Sequence, residues 1–125
     1  MAKVNLEAIH WLPDVEEHDY NAAESYLSLI YAVDQVADVV ARFKNTPIVK
    51  FKVKDLSRAS RLPLLGVNNS EVEKDMKKIR KGQCLSPILL LRDNQNGKVV
   101  IADGYHRLCA VYKFNEDEWI PCKIA

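Results

Sequence analysis

The stretch VVIADGYHRLCAVY, Val99 to Tyr112, decides the fold. Val99–Ala102 is an apolar run that reads as the end of a strand. Asp103-Gly104 stops it. From there a short helix is predicted, Gly104 to about Lys113, with Tyr105, Leu108, Cys109 and Tyr112 on one face. A strand therefore feeds a helix through a tight turn. The first N–H groups of such a helix lack intrahelical acceptors and carry partial positive charge. His106 and Arg107 fall in that first turn, and Gly104 would let a ligand approach the backbone closely. Backbone donors, an imidazole and a planar guanidinium suit a phosphate. A second reading stays open on the same residues. Asp103 could cap the helix, Arg107 could pair with Asp103 or another acid, and His106 could lie at the surface. Asp103 argues against direct phosphate contact unless a divalent cation bridges the two.

Working outward, Lys98–Ala102 reads as the hairpin partner of Ser86–Leu91, a continuous apolar run around Pro87. The turn is Asp93-Asn94-Gln95-Asn96-Gly97. Ser70-x-x-Glu73 reads as a capping box. It opens a helix with Val72, Met76 and Ile79 on one stripe, a Glu73–Lys77 pair and a stop at Gly82. Ile48 to Leu56 alternates apolar and polar residues and predicts a half-buried strand, followed by an irregular connection through Ser57–Gly66. Asp19 to Phe43 predicts helix, capped by Asp19 and with a break at Asp34 left undecided. Its stripe is Tyr26, Leu29, Ile30, Val33, Val36, Ala37 and Val40. Trp119 to Ile124 is the last strand. The expected fold is a single small α+β domain over 1–125, with a helical N-terminal extension (1–47) and a core with a mixed sheet (48–125). The extension's stripe must either cover the sheet or pair with a second copy. The reading favours a homodimer.

The net charge is +1, so no global field points to nucleic acid. Three widely spaced cysteines without a CxxC predict reduced thiols and a cytoplasmic protein. No apolar run is long enough to span a bilayer. Glu16, Glu17, His18 and Asp19, with His10, lack a tight metal-ligand spacing. Glu116-Asp117-Glu118 reads as a solvated turn, and Ser57, Arg58, Ser60 and Arg61 as either a second anion loop or a solvated connection.

Residues from about Phe51 to Ile124 resemble the domain shared by ParB-type proteins and sulfiredoxins. The resemblance rests on the strand and loop reaching Arg58, on Gly82 leading into LSPILLLRD, and on VVIADGYHRLCA with its Gly104, Arg107 and Ala110. It implies that the turn cradles nucleotide phosphates. Gly104, Tyr105, His106 and Arg107 would lie on the phosphate side, with Arg58 a looser match. Asp103 resembles the acid of the DGHHR members, which include a free-serine kinase and ParB-like nucleases. It would hold Mg²⁺ or act as base, with His106 beside it. Tyr105 stands where sulfiredoxins carry their catalytic cysteine, which argues against sulfinic-acid reduction. His106 replaces the acid of GERR, which argues against chromosome partitioning. The expected function is binding of a nucleotide (ATP or CTP) or another phosphorylated small molecule, with Mg²⁺, in a phosphotransferase or nucleotide hydrolase. The alternatives are a non-catalytic dimeric interaction module and a ParB-like nuclease. Neutral charge and the lack of clustered carboxylates argue against the last.

Overall fold

In the computed structural model, residues 8–125 are described. The elements are β1 (His10–Trp11), α1 (Glu17–Leu27), α2 (Val33–Lys44), β2 (Val49–Lys52), α3 (Val53–Ser60) and α4 (Ser70–Arg80). They continue with β3 (Cys84–Leu85), β4 (Ile88–Asp93), β5 (Lys98–Asp103), α5 (Tyr105–Phe114) and β6 (Trp119–Ile124). The main sheet has the order β2-β6-β4-β5. It is mixed: β2/β6 and β4/β5 are antiparallel and β4/β6 is parallel. The short β1 and β3 pair in parallel beside it. This is the small α+β arrangement that the pattern of elements predicts, and β4/β5 is the expected hairpin.

The apolar run of β4 follows from burial on both faces. Ile88 and Leu90 join one core, with Val53 and Leu56 of α3, Val72, Met76 and Ile79 of α4, and Leu108–Val111 of α5. Leu89 and Leu91 join the other, with Tyr20, Ala23 and Leu27 of α1 and Val36, Val39 and Phe43 of α2. A strand covered on both sides needs no alternation. The N-terminal helices thus cover one face of the sheet and form the second core layer.

Several local expectations are corrected. The 19–43 segment is two helices, broken at Ser28–Ala32, and Asp34 sits in the first turn of α2, where its charge suits the helix dipole. The cap of α1 is Glu16; Asp19 is the third helical residue and accepts the Glu16 N–H at 3.2 Å. The break resets the helical phase, so a stripe counted across it mixes two faces. Leu29 and Val33 are 83% and 81% exposed, and Tyr26 and Ile30 are also exposed. Only four residues of the 48–56 segment form a strand. Val53 opens α3 instead, because the N–H groups of Val53 and Lys54 bond to the carbonyls of Glu118 and Glu116, and Val53, Leu56 and Ser60 bury one helical face. Ser57–Ser60, expected as irregular, belongs to this helix. In α4 the cap is Asn69, whose side chain accepts from the N–H groups of Glu71 and Val72; Ser70 is already helical. Glu73 pairs with Arg80 at 3.3 Å rather than with Lys77. Gly82 ends this region with φ 72° as expected.

Leu27→Ala should cost about 2–5 kcal/mol of unfolding free energy, the range for a fully buried leucine. Leu29→Ala should change it by less than about 0.5 kcal/mol. Urea denaturation monitored by circular dichroism checks both. Equal effects would contradict the assigned helical phase.

Candidate functional site

β5 ends at Asp103 and α5 begins at Tyr105, as the strand–helix turn requires. Gly104 between them has φ 111°. A Cβ there would lie 2.3 Å from Ile88 Cγ2 and 2.9 Å from Arg107 Nη2. The glycine is therefore demanded by the chain's own packing, not by the approach of a ligand.

Asp103 does not cap α5; no side chain does. Its Oδ2 accepts from Arg107 Nη2 at 2.8 Å instead. Arg107 Nη1 donates to Asp19 Oδ1 at 3.3 Å. Asp19 arrives from α1, and its other oxygen accepts from the Ser86 hydroxyl. The side chains of Asp19 and Arg107 are 4% and 14% exposed. The guanidinium thus clamps two carboxylates from two layers of the fold. Arg107 Nε is buried and has no acceptor among the described residues.

The two carboxylates divide one proton unequally. Burial pushes the Asp103 carboxyl up to about 6; Arg107 opposes this and the neighbouring Asp19 reinforces it. Burial also acts to raise Asp19, but the hydroxyl of Ser86, the carboxyl of Asp103 and the charge of Arg107 outweigh it and hold Asp19 below the ordinary aspartate value. Of the two, Asp103 keeps its proton to the higher pH.

Ser86, Asp103 and Arg107 of this cluster line a polar cleft of about 220 Å³, with Asp19 behind them. His106 and the start of α5 lie on one side. Asp75 and Lys78 of α4 line it as well, with Glu16 and His18. Asp75 is buried, and burial raises its carboxyl against the pull of Lys78 and Arg107. Glu16, His18 and Asp19 each bring a ligand atom within 4.8 Å of the others, although their sequence spacing gave no metal signature.

Of the residues expected at the site, Asp103, Gly104, Tyr105, His106 and Arg107 share the cleft. Arg58 does not. It is on α3, 85% exposed, and pairs with Asp55. The Tyr105 hydroxyl donates to the Pro63 carbonyl. Cys109 is buried and its thiol is pushed up by burial; Cys122 is pushed up to about 12 for the same reason. All three cysteines are free thiols. Asp19, Ser86, Asp75 and Lys78 were not anticipated at the site. Asp19 had been assigned to a helix cap, and no local pattern marks the other three. No protein-family model, no curated protein and no solved structure matches this chain.

Arg107→Ala leaves two carboxylates without their counter-charge and should cost about 3–5 kcal/mol. The pH dependence has a definite sign. Folding raises Asp103 from about 3.8 to about 6, so the folded state keeps a proton that the unfolded chain releases. The stability Asp103 contributes is complete below about pH 4 and is lost as pH rises through about 6. Asp19 acts oppositely, and its contribution is lost as pH falls through its lowered value. Urea titrations across this range should show Asp103→Asn flattening the decline on the Asp103 side. An unchanged profile would contradict the shared proton.

Proposed function

We propose that this cleft binds the phosphate end of a phosphorylated small molecule, with ATP or CTP as the ligand that the resemblance in Asp103–Arg107 implies. One observation carries the reading: the N-terminus of α5 opens into a polar cleft uncapped, because the acid placed to cap it has turned to Arg107. Lys78 and His106 flank the same space. The fork of Arg107 is already committed to Asp19 and Asp103, so the arginine acts chiefly by positioning. The backbone donors, Lys78 and His106 hold the charge.

Mg²⁺ would be held beside this cleft by Glu16 and Asp19, whose carboxylate oxygens lie within 4.8 Å of each other and are the ligands that this cation prefers. Bound there, the ion would neutralise phosphate charge. Asp103, titrating near 6, would take a proton from an attacking hydroxyl or water. That chemistry suits a phosphotransferase or a nucleotide hydrolase.

Calorimetric titration with ATP and CTP, each with Mg²⁺, tests the reading. Binding below millimolar is expected. Lys78→Ala and His106→Ala should each weaken it about tenfold, the loss of one charge-assisted contact. Absence of heat with both nucleotides at millimolar concentration would overturn it.

A further inference from the structure

A second cavity, of about 290 Å³, adjoins the polar cleft and differs from it in character. The two share Asp103, Gly104, Tyr105 and His106, so they meet at the start of α5. Beyond that junction the second cavity is lined by Ala22, Tyr26, Leu62, Ile101 and Ala102, none of them charged. Tyr26 and Leu62 are 44% and 42% exposed, although both are large and mostly apolar.

The layering of the fold produces this space. α1 lies in the core layer on one face of the sheet, and α3, with Leu65 of the segment that follows it, lies in the layer on the other. Tyr26 and Leu62 therefore flank the β5 edge from opposite faces, with Ile101 and Ala102 buried between them. The Tyr105 hydroxyl donates to the Pro63 carbonyl and so fixes the Leu62 side. On α1, His18, Ala22 and Tyr26 fall on one row at four-residue spacing. His18 lines the polar cleft, and Ala22 and Tyr26 line the apolar cavity. One helix ridge thus runs from the charged end to the apolar end, and its middle position carries only a methyl group.

We propose that this cavity holds the base of the nucleotide whose phosphates enter the polar cleft, with Tyr26 and Leu62 against the two faces of the ring. The inference rests on the reading of the cleft as a phosphate site, and it adds the subsite that tells a nucleotide from a bare polyphosphate. The two spaces match the two ends of such a ligand. The anionic end meets the opening N–H groups of α5, Lys78 and His106, and the heterocycle meets a tyrosine ring, a leucine and a strand edge. An aromatic side chain accepts any base by its π-face. Among the described residues no strand lies on the outer side of β5, so this edge offers backbone groups to the polar rim of the base. Small-ligand sites are roughly 300–1,000 Å³, mostly apolar and with a few placed polar groups. The apolar cavity and the adjoining cleft of about 220 Å³ together fall in that range. Ala22 and Tyr26 come from α1, outside the stretch that carries the family resemblance, so the subsite is a property of this chain's own N-terminal helix.

Calorimetry with ATP, CTP and inorganic triphosphate, each with Mg²⁺, tests this. The better nucleotide should bind the unmodified protein at least about tenfold more tightly than triphosphate. Ala22→Phe fills the cavity from an exposed position, and Tyr26→Ala removes one wall; neither residue lines the polar cleft. Each should weaken the nucleotide about tenfold and leave triphosphate binding unchanged. Triphosphate binding as tightly as both nucleotides, or nucleotide affinity untouched by both variants, would overturn the subsite and leave the phosphate reading standing. Adenosine and cytidine, followed by saturation-transfer NMR at millimolar concentration, separate the converse case. A nucleoside signal that Ala22→Phe abolishes, with triphosphate silent, would uphold the cavity and overturn the phosphate site. Silence from both nucleosides and from all three phosphorylated ligands would overturn both.

Discussion

A single guanidinium sets the terms for this fold. Arg107 comes from the first turn of α5, Asp103 from the end of β5 and Asp19 from the first turn of α1. These are three elements from both layers and the sheet between them. A largely buried arginine is tolerated only where opposite charge meets it, and two carboxylates here overcompensate one cation. The Ser86 hydroxyl supports the charge on Asp19, and the Asp103 carboxyl, raised to about 6, takes up a proton as pH falls through that value. Gly104 belongs to the same constraint, because any side chain there would collide with Ile88 and with the guanidinium itself.

The constraint explains why α5 begins without a cap. In an ordinary strand–helix turn an aspartate at position 103 would satisfy the first N–H groups of the helix. Here its carboxylate is drawn away, and the helix pole is left facing a cleft that also holds Lys78 and His106. The arrangement stores an unsatisfied electrostatic demand where a ligand can meet it. Glu16, Glu71 and Asp75 also line the cleft, so it is not a simple anion hole.

Most of the core strands and helices were legible because their periodicity is local. β4, β5, α5 and β6 follow from runs and turn residues in VVIADGYHRLCAVY and its neighbours. The failures have one physical kind. The switch from strand to helix at Val53 depends on the carbonyls of Glu116 and Glu118, more than sixty residues away in the chain. The phase of α1 depends on a break that no proline or glycine marks. The site was half legible. Asp103–Arg107 is contiguous and stands out, whereas Asp19 and Ser86 reach it only through the tertiary fold. The open fork expected of Arg107 proved to be filled by one acid visible in the turn and one invisible from it. That shifts the arginine from ligand contact to positioning.

The most direct test of the account is the ¹⁵N–¹H spectrum of the Tyr105, His106 and Arg107 backbone amides, recorded as ATP with Mg²⁺ is added. These are the donors that open α5 without a side-chain cap. The account predicts that they move downfield and exchange more slowly with solvent as phosphate oxygens bond to them. Shifts confined to other parts of the chain, with these three amides unmoved at saturation, would contradict it.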